Sequence, residues 1–527
     1  MSLTVVIGGT RSGKSAHAEA LAVATGRPVR YVATADAGDA SMRARIDAHV
    51  GRRPAAWRTV EAGDELAAAA AVAGAGDACV LLDGLGPWIA TRMHRAGAFE
   101  DADALAREAP RILAEIDAVA RALESAAAAI VVAEQAGEGV LPADAASRAW
   151  VDLLGAATER LARDADRVVL VVAGRALEIA GAAAPPADPA LRHHGDRDVA
   201  PGEADHAVNV VAGGPPPWLR TALETALTDA VSRYPSQADA VAALAAQHGR
   251  EEAEIVPTNG AAEALWLLGP ALRPRLAACV HPAFTETEAG LHAHGVAVVR
   301  VHRDPRQDFA LDPTQVPDAA DLVVVGHPAS PSGTLDGAAA LLALRRPGRT
   351  LVIDEAFMDL VPGQPGSLAG TALDDVVVVR SLTKALGIPG LRVGYAVAPA
   401  ALAERLRAVH PPWSANALAL AALVAAAAHP AELAAIAERA AAERRDLEAR
   451  LGEIAGLRTW PGAANFVLVE AADGPALVAA LRARRIAVRP AASFPGLDAR
   501  HVRITARDPE ANARVAEAVA AAIGVAA

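Results

Sequence analysis

The sequence opens with LTVVIGGTRSGKSAHAEALA at residues 3–22, and this stretch predicts the fold of the first part of the chain. Residues 3–8 form an apolar run of strand length, and a glycine-rich turn then leads into a helical pattern. Alanine-rich helical stretches separate further strand-like runs, which lie at 29–35, 78–84, 129–135 and 167–174. This alternation is typical of a mainly parallel sheet covered by helices, so we predict an α/β domain over residues 1–180.

The turn at residues 8–15 matches the motif G-x4-G-K-S in the required position between a strand and a helix. Backbone N–H groups of such a loop cradle phosphates, Lys14 reaches the terminal phosphate oxygens, and Ser15 ligates Mg²⁺. Asp83 ends an apolar run, where phosphate-loop enzymes carry a second carboxylate near the metal; the alternative for Asp83 is a helix cap or turn. We therefore predict a metal site at Ser15 and Asp83, and a nucleotide site formed by Gly8, Gly9, Thr10, Arg11, Ser12, Gly13, Lys14 and Ser15.

The segments around this loop resemble the bifunctional adenosylcobinamide kinase/adenosylcobinamide-phosphate guanylyltransferase family. The resemblance covers nearly all of residues 1–180 and rests on YVATADAGDASMRARIDAHVGRRPAAWRTVEA (31–62), LLDGLGPW (81–88) and GEGVLPADAASRAWVDLLG (137–155). It implies phosphorylation of adenosylcobinamide, with GTP or ATP as the donor, and then GMP transfer from GTP through a histidine, which matches His49. Two pairs depart from the family's usual Asn-Glu and Asn-Gln, namely Glu134-Gln135 and Thr158-Glu159.

A change of composition separates this first domain from the rest of the chain. Residues 181–206 are rich in proline, alanine and charge without a regular period, so we predict a linker or arm there. Strand-like apolar runs alternate with helices again beyond it and predict a second α/β domain over 207–400. A helical stretch followed by the runs RTWPGAANFVLVE and HVRITAR predicts a smaller α+β domain over 401–527.

Lysine is rare in this chain, which has only Lys14 and Lys384 among its 50 lysine and arginine residues. A Schiff base needs an amine that can lose its proton, as lysine can and arginine cannot. Lys384 follows a buried strand, and Asp354 ends another, where a carboxylate can pair with a protonated pyridine nitrogen. The run TNGAAE opens a helix, whose N-terminus at Gly260, Ala261 and Ala262 offers a site for a cofactor phosphate.

Residues 207–523 resemble fold type I pyridoxal-phosphate enzymes, most closely the L-threonine-O-3-phosphate decarboxylases, which are similar to histidinol-phosphate aminotransferases. The resemblance implies that Lys384 carries pyridoxal 5'-phosphate and that Asp354 pairs with its ring nitrogen. It also implies that Phe284 stacks on the cofactor ring and that Ser381 and Arg392 bind its phosphate. Tyr234 matches a tyrosine that reaches the cofactor phosphate of the neighbouring subunit, which implies a homodimer. Arg503 matches the arginine that binds the substrate carboxylate.

Two positions bear on the type of reaction. Ser330 stands in HPASPSG where the family usually has the asparagine that donates to the ring oxygen of the cofactor. Phe357 stands where the aminotransferases commonly have a tyrosine. Because a phenylalanine cannot hydrogen-bond the cofactor hydroxyl, Phe357 favours the decarboxylase branch.

The two resemblances imply one pathway, cobalamin (vitamin B12) biosynthesis. The decarboxylase converts L-threonine O-3-phosphate into (R)-1-amino-2-propanol O-2-phosphate, and the kinase/guanylyltransferase activates the cobinamide that carries this linker. We therefore expect a bifunctional enzyme of that pathway. One alternative is an aminotransferase as the second domain, and another is a regulator or scaffold in which one domain binds ligand without turnover.

The composition restricts the partners of the chain. Its 527 residues are 53% hydrophobic and carry a formal net charge of −12, which disfavours a nucleic-acid or anionic-membrane surface. No apolar run reaches the roughly 18–20 residues of a membrane span, and the first residues lack the features of a signal peptide. Cys79 and Cys279 lie far apart in apolar runs, as buried thiols of a reducing compartment do. We expect a cytoplasmic homo-oligomer that binds small molecules, with neither nucleic acid nor membrane as a partner.

Overall fold

The computed structural model describes residues 2–34, 53–54, 56–137, 142–181 and 189–524. The chain divides into two units between residues 185 and 186. Each unit has a central sheet with helices packed against it, so the predicted α/β class is confirmed.

The first unit is built on a sheet whose described strands are β1 (Leu3–Gly8), β2 (Val29–Ala33), β3 (Arg58–Glu61), β4 (Cys79–Asp83), β5 (Ala128–Glu134), β6 (Arg167–Val172) and β7 (Arg175–Gly181). Their order across the sheet is β3-β2-β4-β5-β1-β6-β7. Neighbouring strands are parallel except β6 and β7, which pair antiparallel. The prediction of a mainly parallel sheet is therefore confirmed, and β1, which precedes the phosphate loop, lies inside it.

Both faces of this sheet are buried at its central strands, which explains why β1, β4 and β5 are apolar over most of their length. Val5, Leu82 and Val131 belong to the core on one face, and their neighbours Leu81 and Val132 belong to the core on the other. A strand whose side chains alternate between two cores needs apolar residues at successive positions. The helices of the unit are α1 (Lys14–Ala24), α2 (Leu66–Gly74), α3 (Leu85–Arg95), α4 (Ala102–Leu123) and α5 (Ala145–Arg163).

The second unit contains a larger and a smaller sheet. The strands of the larger one are β9 (Ile255–Asn259), β10 (Leu276–His281), β11 (Ala297–His302), β12 (Leu322–Gly326), β13 (Thr350–Glu355), β14 (Val376–Ser381) and β15 (Val393–Val397). They follow the order β11-β10-β12-β13-β14-β15-β9, and only β15 runs antiparallel to its neighbours. The parallel strands therefore end at one common edge, where the loops that follow them gather.

The smaller sheet has the order β16-β17-β19-β18-β8. Its strands are β8 (Ala204–His206), β16 (Leu457–Trp460), β17 (Phe466–Ala471), β18 (Ile486–Pro490) and β19 (His501–Thr505). The helices of the second unit are α6 (Pro217–Asp229), α7 (Ala238–His248), α8 (Ala261–Leu272), α9 (Glu286–Ala293), α10 (Ala338–Leu342), α11 (Ala400–Val409), α12 (Ala417–Ala427), α13 (Pro430–Gly452), α14 (Gly474–Ala483) and α15 (Pro509–Gly524).

The segment that the sequence predicts as a linker or arm, residues 181–206, is ordered against the second unit over its described part. Short 3₁₀ turns cover Pro189–Arg192 and Gly195–Asp198, and the Leu191 side chain is buried. Strand β8 ends the segment and pairs with β18 in parallel. Residues 189–206 are therefore an integral part of the second unit and do more than connect two domains.

Both cysteines, Cys79 and Cys279, are buried free thiols. Within the described ranges, no single helix is long and apolar enough to cross a membrane. One pair of helices, α12 and α13, reaches that length and composition only when joined across a bend of 90°.

We expect Gly394→Ala to lower the free energy of unfolding of the second unit by about 1–3 kcal/mol, the usual range for overpacking. A Cβ on Gly394 in β15 would lie 2.5 Å from the carbonyl carbon of Gly260 and closer still to the backbone nitrogen of Ala261. Gly390→Ala is the matched control, because no atom lies within 4 Å of a Cβ there. Denaturant unfolding measures both variants, and equal stabilities would contradict the prediction.

Candidate functional sites

The phosphate loop, residues 8–15, lies at the carboxyl end of β1 and leads directly into α1. Helix α1 begins at Lys14 after Gly13, whose φ of 94° favours glycine. A Cβ on Gly8 would lie 2.5 Å from the carbonyl oxygen of Val171, so the backbone passes too close to β6 for a side chain. The loop N–H groups and the N-terminus of α1 together form an anion site, as the motif predicts.

The structure brings together Ser15 and Asp83, the residues predicted to hold a metal. Ser15 Oγ donates to Asp83 Oδ1 at 3.0 Å, although the two residues lie on different elements. The hydroxyl of Tyr31 donates to Asp83 Oδ2 at 2.8 Å, and the Arg53 guanidinium lies 3.4 Å from the centroid of the Tyr31 ring. Burial and the Asp83 charge raise the pKa of Tyr31, which keeps this phenol a donor. Hydroxyl and carboxylate oxygens are ligands that suit Mg²⁺.

A second carboxyl group, Glu134, lies at the end of β5 near this site. Its Oε2 accepts a hydrogen bond from the Gly86 N–H at 2.7 Å. Burial raises the pKa of Glu134, while the positive charge of Lys14 opposes that rise. The sequence marks Glu134 only as a departure from the family pattern; its position at the end of an apolar strand is the signal that could have assigned it to the site.

Three further positions of the first unit were singled out from the sequence. His49 lies outside the described residues, so its role in GMP transfer stays a prediction. Thr158 Oγ1 donates to the Leu154 carbonyl, and Glu159 pairs with Arg163, in both cases within α5. The change at Thr158-Glu159 is therefore accommodated within one helix.

In the second unit, a cavity of about 560 Å³ lies at the common edge of the parallel strands. Its walls include nine of the residues predicted from the sequence, namely Ala261, Ala262, Phe284, Ser330, Asp354, Ser381, Lys384, Arg392 and Arg503. Gly260 caps the N-terminus of α8 beside them with a φ of 79°. Predicted residues up to 242 positions apart in the sequence, Ala261 and Arg503, thus share one site.

Burial in this cavity shifts the pKa values of Lys384 and Asp354 toward each other. It lowers the pKa of Lys384 to about 8, assisted by the charges of Arg392 and Arg503 and opposed by Asp354. It raises the pKa of Asp354 to about 6, opposed by the N–H of Ala356, which donates to Oδ1 at 3.1 Å, and by Lys384. Near neutral pH the amine can lose its proton while the carboxylate keeps its charge.

The shape and charge of the cavity fit pyridoxal phosphate. Arg392 approaches the N-terminus of α8 closely, because a Cβ on Gly260 would lie only 2.7 Å from Nη2 of Arg392. The guanidinium and the backbone N–H groups at the start of α8 therefore lie together where a phosphate would bind. Lys384 Nζ lies 5.6 Å from the centroid of the Phe357 ring, which forms an apolar wall. A phosphate site, a lysine amine, an apolar wall and the Asp354 carboxylate are the groups that a phosphorylated pyridine aldehyde requires.

Two buried arginines line the same cavity. Arg503, predicted as a carboxylate ligand, donates to Ser330 Oγ at 3.3 Å and to the Ala207 carbonyl at 2.7 Å. Arg489 was not predicted; it donates to Asp198 Oδ2 at 3.1 Å and also lines the cavity. Burial and the nearby Arg489 lower the pKa of Arg503 to about 9. The sequence feature that could have indicated Arg489 is its position as the one charged residue in the apolar run IAVRP.

The ordered arm supplies a further wall of the same cavity, residues 192–197. In this wall, the His194 imidazole bonds to Glu286 Oε1 at 2.6 Å, and Arg192 pairs with the same carboxylate. Tyr234, in contrast, is not among the cavity residues: it is 79% exposed and stacks on Trp413 at 4.5 Å between ring centroids. Its predicted role toward a neighbouring subunit stays a prediction.

Comparison with known protein families divides the chain into the same two parts. Residues 4–179 match the family model of cobinamide kinase / cobinamide phosphate guanyltransferase. Residues 205–519 match the model of aminotransferase class I and II.

Individual relatives match each part over most of their own length. The bifunctional adenosylcobalamin biosynthesis protein CobP of Pseudomonas aeruginosa is 37% identical over 180 residues, which are 34% of this chain and 96% of that protein. A histidinol-phosphate aminotransferase of Mycobacterium tuberculosis is 46% identical over 323 residues, 60% of this chain and 87% of that protein. The threonine-phosphate decarboxylase of Salmonella typhimurium is 32% identical over 331 residues, 60% of this chain and 90% of that protein.

We expect acetylation of Lys384 in the cofactor-free protein to rise with pH through a midpoint near 8, below the ordinary 10.5 of lysine. The neutral amine is the nucleophile, and burial favours it. Peptide mass spectrometry follows the reaction, because Lys14 is the only other lysine of the chain.

Asp354→Asn should move this midpoint to lower pH, since the carboxylate raises the pKa of the amine. A midpoint near 10.5 in the unmodified protein, or a midpoint that Asp354→Asn moves upward, would disprove this account of the site.

Proposed function

Since the chain belongs to the cobinamide kinase / cobinamide phosphate guanyltransferase family over residues 4–179 and to the class I and II aminotransferases over residues 205–519, we propose that it is a bifunctional enzyme of cobalamin biosynthesis. Its first unit phosphorylates adenosylcobinamide and then transfers GMP from GTP. Its second unit decarboxylates L-threonine O-3-phosphate to (R)-1-amino-2-propanol O-2-phosphate.

The phosphate loop supports the proposal for the first unit. Its N–H groups bind the phosphates of GTP or ATP, and Lys14, whose Nζ lies 3.4 Å from the Gly9 carbonyl oxygen, neutralises charge on the transferred group. Ser15 and Asp83 would hold Mg²⁺, which supplies charge neutralisation at the phosphates. Glu134, with its raised pKa, suits acceptance of a proton from the attacking hydroxyl. His49 is the proposed carrier of the GMP group.

The observation that carries the proposal for the second unit is the pair of buried arginines in the same cavity as Lys384. L-threonine O-3-phosphate has two anionic groups, a carboxylate and a phosphate. Arg503 donates to Ser330 Oγ and would bind the carboxylate, while Arg489 would bind the phosphate together with Ser493, whose Oγ accepts from Arg489 at 2.8 Å. A guanidinium is well suited to both ligands, because its planar donors match their oxygen geometry.

Pyridoxal phosphate, when bound, supplies an electron sink for the pair of electrons that departing carbon dioxide leaves behind. Asp354 keeps a proton on the ring nitrogen by remaining ionised beside it. Lys384 binds the cofactor through its neutral amine and can return a proton to the substrate α-carbon. Phe357 is buried and packs edge-on against Phe466 with ring centroids 5.2 Å apart, so this wall excludes water from the reacting atoms.

An aminotransferase acting on a phosphorylated substrate is the second candidate for this unit. The 46% identity to a histidinol-phosphate aminotransferase favours it, whereas the relative named as a decarboxylase is 32% identical. Phe357 and the link between the two cobalamin reactions favour the decarboxylase. A domain that binds its ligand without turnover is the third reading.

We further propose that the enzyme works as a homodimer formed through the second unit. Tyr234 and Trp413 stack on each other on the surface, and both are more than half exposed. Exposed aromatic pairs of this kind are typical of interfaces. In the dimer, Tyr234 would reach the cofactor phosphate of the neighbouring subunit.

Two reciprocal lysine variants test the proposal. We expect Lys384→Ala to abolish release of aminopropanol phosphate from L-threonine O-3-phosphate while GTP-dependent phosphorylation of cobinamide continues. Lys14→Ala should do the opposite and slow phosphorylation by roughly 10²–10³-fold, as loss of a single charge-stabilising group does. Mass spectrometry of both sets of products from the cofactor-loaded protein measures the outcome.

Three outcomes would contradict parts of this proposal. Formation of a keto acid with pyridoxamine phosphate would make the second unit an aminotransferase. Cofactor binding without any product would make it a binding domain. Failure of the unmodified protein to phosphorylate cobinamide with either nucleotide would remove the proposed activity of the first unit.

Arg489→Met should raise the KM for L-threonine O-3-phosphate by roughly 10- to 100-fold, the cost of losing charge-assisted hydrogen bonds to an anion. Steady-state kinetics measures this effect, and Arg484→Met, at an exposed position in the same region, is the control. An unchanged KM in Arg489→Met would exclude Arg489 as the phosphate ligand.

A further inference from the structure

A second and much smaller cavity, of about 10 Å³, lies next to the cofactor cavity in the second unit. Its walls include His281 at the end of β10, Glu288 in α9, and Asp354 in β13. Asp354 and Phe284 line both cavities, so this carboxylate separates the small space from the cofactor site. The wall of the small cavity is mainly apolar, but it includes the polar side chains of His281, Glu288 and Asp354, and a cavity of this size has room for one water molecule.

His281 lines this small cavity, and one of its ring nitrogens has no partner among the described residues. The side chain is only 1% exposed, and its Nε2 bonds to Glu288 Oε2 at 2.8 Å. Among the described residues, no hydrogen-bond partner is present for Nδ1. Buried polar nitrogens are nearly always hydrogen-bonded, to protein or to ordered water, so the free Nδ1 indicates a small ligand in the cavity.

Glu288 fixes the orientation of the His281 ring through its bond to Nε2. This carboxylate is 2% exposed and also accepts a hydrogen bond from Arg300 Nε at 2.8 Å. Burial alone would raise the pKa of Glu288, but hydrogen bonds from His281, His292 and Arg300 hold it well below its usual range. The Glu288 carboxylate accepts a hydrogen bond from Nε2, so Nδ1 is the ring nitrogen left to meet a ligand in the cavity.

Asp354 also lines the small cavity, where its carboxylate can accept a further hydrogen bond. The Ala356 N–H donates to Oδ1, and burial raises the pKa of the carboxyl to about 6. A hydrogen bond to the charged form of a buried carboxylate lowers its pKa, so a donor in the cavity would help Asp354 to stay ionised.

We propose that one water molecule occupies the small cavity, where it donates a hydrogen bond to the carboxylate of Asp354 and forms a second hydrogen bond with Nδ1 of His281. His281 and Glu288 are then positioning residues: they hold the water, and the water keeps Asp354 ionised. The inference rests on the proposed function only in that pyridoxal phosphate occupies the adjoining cavity. It is independent of whether the enzyme decarboxylates or transaminates.

The other charged and titratable groups around His281 leave this assignment intact. Burial raises the pKa of the Cys279 thiol, so the thiol stays neutral. Burial and the neighbouring His281 lower the pKa of His302, so that imidazole is neutral near pH 7. The remaining groups packed around His281 are Glu288 and His292 on α9, Arg300 on β11, and Asp354 on β13.

Two substitutions of His281 separate its two nitrogens. The amide of asparagine reaches the position of Nδ1, whereas the amide of glutamine reaches that of Nε2. His281→Gln therefore keeps the bond to Glu288 and loses the group that holds the water. His281→Asn keeps that group and loses the bond to Glu288.

The measurement is the dissociation constant of pyridoxal phosphate across pH, which needs no turnover. In His281→Gln the affinity should begin to fall at a pH about one unit higher, so that binding is weaker by about twofold at pH 7 and by roughly tenfold near pH 5. His281→Asn and the neighbouring control His302→Gln should follow the unmodified protein. If His281→Asn shifts as much as His281→Gln, or if neither shifts, the proposal is wrong.

A crystal structure of the unmodified protein provides a test that does not depend on how the variants fold. At a resolution that shows ordered water, we expect one water between His281 Nδ1 and Asp354. An empty cavity, or direct contact between the two side chains, would overturn the proposal. If the unmodified protein fails to bind pyridoxal phosphate, the proposed function falls, and the same crystal structure still decides whether the water is present.

Discussion

A buried amine and a buried carboxylate share one cavity, and the chemistry of the second unit depends on this pair. Burial disfavours the charged form of each group, so the pKa of Lys384 falls to about 8 and that of Asp354 rises to about 6. Each charge opposes the shift of the other. The balance leaves an amine that can act as a nucleophile and a carboxylate that is still ionised near neutral pH. Both states are needed if a pyridine cofactor is to be bound and kept protonated.

Parallel strands bring these groups together in both units. Asp354 near the end of β13 and Lys384 just after β14 lie at one edge because the two strands are parallel neighbours. In the first unit, Asp83 ends β4 and Glu134 ends β5, close to the loop that follows β1. Helices α1 and α8 begin at these edges, where their dipoles favour phosphate. Two sheets with different strand orders thus place anion-binding loops and carboxylates at corresponding positions.

The arm and the small sheet together form one wall of the cavity. Strand β18 presents Arg489, whose guanidinium bonds to Asp198 in the arm, and the same strand pairs with β8 at the end of the arm. Arg503 on the neighbouring β19 bonds to the Ala207 carbonyl directly after β8. The two arginines are therefore held by the segment whose composition alone indicates a linker. The bonds that hold Arg489 and Arg503 in place are therefore the same bonds that order the arm and the residues directly after it.

The sequence by itself determined the α/β class and the two families, and it predicted roles for residues placed by local order, such as Lys14, Ser15, Asp354 and Lys384. Their roles could be predicted because a strand, a turn and a helix are encoded by neighbouring residues. Only the tertiary structure decided that Arg489 meets Asp198, that His281 faces the space beside Asp354, and that the arm forms a wall of the site. These partners lie on separate elements, in one case 291 residues apart. Burial, charge pairing and pKa shifts arise only when distant strands pack together, so no local pattern can specify them.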